Sequence, residues 1–244
     1  MTRSDAAMSE TPYRSNEVIA VLAAACLGLF ACFDLVSTLG VAVFLAGIGE
    51  LGASPDRDLA DVGTLIRGLS ALAQLAVAPF TVVLFCMFMF RANKNARALG
   101  AGGMQFTPGW TVGWFFVPFA HLWMPFKAAS EVWRASDPRA DTDADDVAWW
   151  SARLGLLVPA WWACWIGGTL IGNTSSQLLR HGFEAAAGWM GLIGMPLQAL
   201  AGVLAATVVL RLRARQGRKH RDRARAAREP AESPADFADS APVY

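Results

Sequence analysis

Few side chains in this sequence sit where they could do chemistry, and the first of them is Asp34. It is the single charge in an otherwise uncharged run from Val18 to Gly49. A carboxylate in hydrocarbon costs roughly 2.5–3.5 kcal/mol on insertion scales. Asp34 must therefore face other helices, be protonated, or lie nearer a helix end than the middle of its block suggests. As a functional group it would be an ion or proton site. As a structural one it would hydrogen-bond a neighbouring helix, or mark a crossing that stops near Leu39. His121 could titrate near neutral pH, or it could cap a carbonyl freed by Pro125. Cys26, Cys32, Cys86 and Cys164 all lie in apolar blocks without CxxC spacing, which favours packed thiols over disulfides or zinc. His121, His181 and His220 fall in different segments, so no metal ligand set is expected. No HExxH, GxSxG, P-loop or paired-carboxylate pattern appears. The sequence therefore predicts neither an enzyme nor a cofactor.

A second group of reactive character is a run of cations. Nine Lys or Arg lie between Arg211 and Arg228, against Asp222 alone. A basic run directly after a membrane crossing anchors topology and touches anionic lipid, at about 1 kcal/mol per basic residue. Arg211, Arg213, Arg215, Arg218 and Lys219 are the expected lipid-contacting residues. Nucleic acid is not an expected partner, because the run has no aromatic side chains for base stacking. From Glu229 onward the Pro, Ala, Asp and Ser content predicts disorder.

The elements that must hold these residues are membrane helices. Of the 244 residues 55% are hydrophobic and 17% charged, against about a quarter charged in soluble domains. Four uncharged or nearly uncharged blocks stand out: Val18–Gly49, Leu69–Phe90, Leu154–Gly172 and Trp189–Leu210. Each reaches or nearly reaches across about 30 Å of hydrocarbon at about 1.5 Å per residue. Trp149 and Trp150 could extend the third. Ser54-Pro55-Asp56 reads as a helix start, with Ser at the cap and Pro at the first position. Pro79, Pro159 and Pro196 predict kinks. The first block reads as an uncleaved helix, since only Val18 to Leu22 would precede the loosely lipoprotein-like Ala23-Ala24-Ala25-Cys26.

A fifth apolar stretch, Gly109–Phe126, holds Pro118 and Pro125 and follows Pro108. As a helix it would span only about 27 Å, and proline interrupts its backbone bonding. Trp110, Trp114 and Trp123 suit the headgroup boundary. Charge separates the alternatives, because Lys and Arg collect in cytoplasmic segments. Four crossings with both ends inside divide the 21 Lys and Arg as 18 inside and 3 outside. Five crossings divide them as 15 and 6. Four crossings with a re-entrant or interfacial fifth segment is the expected arrangement.

The flanks of that segment carry a polar motif. RANKNARALG, Arg91 to Gly100, is a basic, amide-bearing helix end followed by a Gly turn. FTPGWTVGWFFVPFAHLWMPF runs from Phe106 to Phe126, and EVWRASDP from Glu131 to Pro138. Together these resemble the signature of a family of bacterial multi-pass membrane proteins known as domain of unknown function 4328. The matching positions are Arg91, Ala92, Asn95, Leu99, Gly100, Pro108, Gly109, Trp110, Pro118, Leu122, Trp123, Pro125 and Trp133 to Pro138. His121 stands where the family pattern has Asn, and Phe126 where it has Tyr. The resemblance extends from roughly residue 20 to 216, closing on Arg213 to Gln216, and implies no activity.

The expectation is thus an all-α membrane protein with four transmembrane helices and one Pro- and Trp-rich re-entrant or interfacial segment. It divides into a cytoplasmic segment 1–17, a helical membrane domain 18–212 and a basic, then disordered, cytoplasmic tail 213–244. Residues expected to carry function are Asp34, Arg91, Asn95, Arg97, Trp110, His121, Trp123 and Trp133. The leading expectation is a scaffold or accessory protein of the cell membrane, contacting anionic lipid and a membrane protein partner. The alternative is a small transporter or channel using Asp34 and Gln74.

Overall fold

A computed structural model describes residues 12–52, 54–139 and 148–228. The acidic link beyond Arg139 and the expected disordered end from Glu229 lie outside the described residues. Six α-helices run in the order α1 Glu17–Gly47, α2 Arg57–Ala98, α3 Pro108–Gly113, α4 Met124–Ala135, α5 Leu157–Arg180 and α6 Glu184–Ala226. Short 3₁₀ turns at Ala120–Leu122 and Ala148–Ser151 precede α4 and α5. Among the described residues there is no strand.

Among the described residues three helices, α1, α2 and α6, are long and apolar enough to cross a membrane. At 42 and 43 residues, α2 and α6 are each about 63–65 Å long, twice a hydrocarbon core. Helix α5 has the length, but Trp161, Trp162, Trp165 and the polar run Asn173 to Ser176 dilute its hydropathy, and it falls outside that group.

The helices are bounded by local chemistry. Helix α2 starts two residues later than Ser54-Pro55 suggests, because the Asp56 carboxylate is the cap, accepting from the N–H groups of Asp58 (3.0 Å) and Leu59 (3.2 Å). It ends on Gly100, at φ 78. There the N–H of Gly100 donates to Arg97 O and that of Ala101 to Ala96 O, the paired closure that a left-handed residue permits. Pro159 lies in the first turn of α5 rather than inside it, where a missing N–H costs nothing. Trp149 and Trp150 do not extend α5. They stack in their own 3₁₀ turn, and the buried Trp149 indole donates to Gly102 O at 2.9 Å.

Helices α1, α2, α5 and α6 form an antiparallel array in which α1 packs on α2 and α6, and α5 on α6. Small residues make the approaches. A Cβ on Gly63 would lie 2.4 Å from Phe44 N, and one on Gly188 would lie 2.6 Å from a Leu45 methyl. Such seams drive helix association where lipid removes the hydrophobic incentive. Leu65, Leu69, Leu72 and Leu75 of α2 are correspondingly exposed.

The larger core lies at one end of the array, around Phe88, Val132, Trp133, Trp149, Trp161 and Leu212. The stretch Gly109–Phe126 belongs to this end. It is no single helix but α3, the 3₁₀ turn and the start of α4, with Phe119 left-handed at φ 61. It packs on α2 through Phe115 against Phe85, with centroids 5.7 Å apart. Helix α6 continues past Leu210 to Ala226, because Leu212, Gln216 and Lys219 keep one face buried at this same end.

Candidate functional site

The last turns of α2 place Asn93, Asn95 and Arg97 around the helix rim. Asn93 is fully buried, and its Nδ2 donates to Phe106 O (2.9 Å) and Thr111 Oγ1 (2.8 Å). Its Oδ1 accepts from Arg97 Nε at 3.0 Å. The Arg97 guanidinium also donates to Phe106 O (3.0 Å) and Met104 O (3.3 Å). The other side of the same loop is held from α4, where buried Glu131 accepts the N–H groups of Gln105 and Phe106. Burial pushes the Glu131 carboxyl above its usual range, opposed by those two donors and by the nearby Arg97 charge. Loop 104–106 is thus clamped between an arginine on its carbonyls and a carboxylate on its amides.

Asn95 faces away from this clamp. Its amide bonds the main chain of Arg14 in both directions, at 3.2 and 2.9 Å, which ties the residues just before α1 to the end of α2.

Helix α6 closes the remaining side. Buried Gln216 donates to Ala92 O (2.7 Å) and Ser136 Oγ (2.9 Å). Lys219 Nζ reaches Ala135 O at 3.3 Å. Arg215 pairs with Asp137 at 2.7 Å and lies over the Trp133 ring, 4.4 Å from its centroid. The Trp133-to-Pro138 motif therefore supplies a ring, a hydroxyl and a carboxylate to α6. Arg213 pairs with Glu17, whereas Arg211 and Arg218 are exposed. Of the five tail cations expected at lipid, three are engaged by the protein itself.

The other expected residues are not gathered here. Arg91 is half-buried one turn earlier on α2, and no acidic side chain among the described residues pairs with it. Trp110 and Trp123 are about half exposed, at 51% and 49%, with Trp110 against Trp114. The His121 ring makes none of the described hydrogen bonds; Trp162 Nε1 instead donates to Leu122 O at 3.1 Å. The four cysteines are separate free thiols.

Asp34 occupies a different place. Its Oδ1 accepts from Gln74 Nε2 of α2 at 2.8 Å. It also lines a cavity of about 410 Å³ between the four long helices, with Phe115 and Phe116 at its margin.

The pattern that defines the domain of unknown function DUF4328 matches residues 52–214. The chain belongs to this family. The DUF4328 match begins after α1, so it is shorter than the motif resemblance suggested. Asp34 and Arg14 lie before it, and Arg215, Gln216 and Lys219 just beyond it. Neither the curated proteins nor the solved structures give a match.

Sequence reasoning passed over Asn93, Thr111, Glu131 and Gln216. Asn93 and Glu131 stood inside the motif strings, and a carboxylate beside Val132 and Trp133 was the signal that Glu131 had internal partners. Thr111 stood in the same strings and Gln216 at the close of the resemblance, but neither residue type on its own marks internal partners.

Proposed function

We propose that this DUF4328 protein crosses the cell membrane four times, through α1, α2, α5 and α6, with both termini in the cytoplasm. The segment between α2 and α5 enters and leaves on the cytoplasmic side. The protein acts there as a scaffold or accessory subunit rather than an enzyme. The observation that carries this reading is that seven polar side chains in and beside the motif, Asn93, Asn95, Arg97, Glu131, Ser136, Asp137 and Gln216, are bonded within the protein. This favours a rigid platform over a reaction centre. The platform offers an aromatic rim, Trp110 and Trp123, and a basic surface. Arg139, Arg211 and Arg218 border a cleft of about 680 Å³ above Trp133, suited to anionic headgroups.

Crosslinking in the native membrane tests the proposal. A specific membrane protein should be retained with the wild-type chain and lost when Trp110 and Trp123 are both replaced by Ala. Recovery of the chain alone after efficient crosslinking contradicts the scaffold reading.

A second reading, a small transporter or channel, is favoured by the cavity that reaches Asp34. It requires flux in proteoliposomes that Asp34→Asn abolishes; unchanged flux removes its support.

A further inference from the structure

The cavity beside Asp34 pairs one carboxylate with aromatic walls, an unusual combination at membrane depth. Asp34 is the one charged side chain lining it. A single amide hydrogen from Gln74 meets its Oδ1, and neither described ion pair includes it. Gln198 of α6 also lines the cavity, with its Oε1 buried against Gly168. The cavity walls carry the rings of Phe30, Phe85, Phe115, Trp161 and Trp165. Phe85 holds the set together, 5.7 Å from Phe115 and 6.0 Å from Trp161.

Ring faces are electron-rich, so they give an anion no compensation and a cation a good deal. A carboxylate among them is left wanting a positive partner. No described side chain supplies the charge.

We propose that this cavity binds a hydrophobic organic cation, its charge against Asp34 and its apolar body among the rings. The volume of about 410 Å³ lies within the range of small-molecule sites, roughly 300–1,000 Å³. The proposal names the ligand class for the cavity on which the transport reading rests, but binding does not require transport. The cavity uses α1 and so lies partly outside the DUF4328 match. It is a property of this chain.

The test uses two probes of matched shape and opposite charge, tetraphenylphosphonium and tetraphenylborate. Quenching of tryptophan fluorescence is followed on the full-length purified protein in neutral detergent. The cation should bind saturably and the anion should not. Asp34→Asn keeps an acceptor for Gln74, and it should weaken cation binding at least about tenfold. Phe85→Ala should weaken it less. Helical circular dichroism and unfolding temperature establish that the variants are folded. Equal binding of both probes would make the cavity a cleft for any hydrophobe, acyl chains included, and overturns the proposal. So does cation binding indifferent to Asp34→Asn in folded protein. Saturable cation binding without flux in proteoliposomes sustains the site and removes the transport reading.

Discussion

Asn95 holds Arg14 by two opposed hydrogen bonds, Arg14 N to Asn95 Oδ1 and Asn95 Nδ2 to Arg14 O. An asparagine amide used this way mimics a strand partner, and it fixes the residues just before α1 at the end of α2. The N-terminal segment, the polar motif and the basic extension of α6 therefore share one end of the array. Replacing Asn95 by Ala removes both bonds and should cost about 1–3 kcal/mol. Thermal unfolding in detergent should show the loss, and limited proteolysis should cut faster near Arg14. An unchanged cleavage rate would contradict the tie.

Glu131 should give the platform a pH signature. Burial holds its carboxyl above the usual 4.5, so the folded state binds the proton more tightly than the unfolded one. The contribution of that group is then fullest below about pH 4.5 and declines as pH rises through the folded value. The stability of the wild type relative to Glu131→Gln should fall between pH 4 and pH 7. A difference that stays flat or grows with pH refutes the assignment. Glu131→Ala should destabilise at every pH, because it strands two loop amides.

Arg215 joins α6 to α4 through a ring and a carboxylate together. Lys at this position keeps the charge but loses the planar stack. Arg215→Lys should lower stability measurably, and a double-mutant cycle with Trp133→Leu should give a coupling of about 0.5–2 kcal/mol. Additive effects would mean that ring and guanidinium do not interact.

Gly63 admits the Phe44 backbone at a distance that no side chain allows. Gly63→Leu should separate α1 from α2 and sharply reduce the yield of folded protein, whereas Gly68→Leu, which meets nothing within 4 Å, should be tolerated. Equal behaviour of the two variants would contradict the close seam.

Much of this was legible in the sequence because lipid imposes simple rules. Uncharged blocks of about 20 residues and Gly100 at a helix end announced themselves by length and by type. Gly109–Phe126 was legible as a broken element, since Pro118 and Pro125 deny it continuous backbone bonding. Other features depended on tertiary partners. The helical run of α6 to Ala226 rests on Leu212, Gln216 and Lys219 being buried, and nothing local distinguishes that face from a solvated tail. Trp149 and Trp150 looked like the start of α5 by composition, yet the Trp149 indole was needed at Gly102. Asp34 was recognisable as costly, but its partner Gln74, 40 residues away, could be paired with it only through the packing of α1 on α2.

The side of the membrane on which the motif loop lies decides between four crossings and five. Single cysteines at Gly102, at Leu51 and at Gly182, in a background with the four native cysteines replaced, can be labelled in intact cells with a membrane-impermeant maleimide. Leu51 and Gly182 should react from outside, and Gly102 only after the membrane is opened. Labelling of Gly102 in intact cells would place the motif outside and contradict the four-crossing arrangement with its cytoplasmic platform.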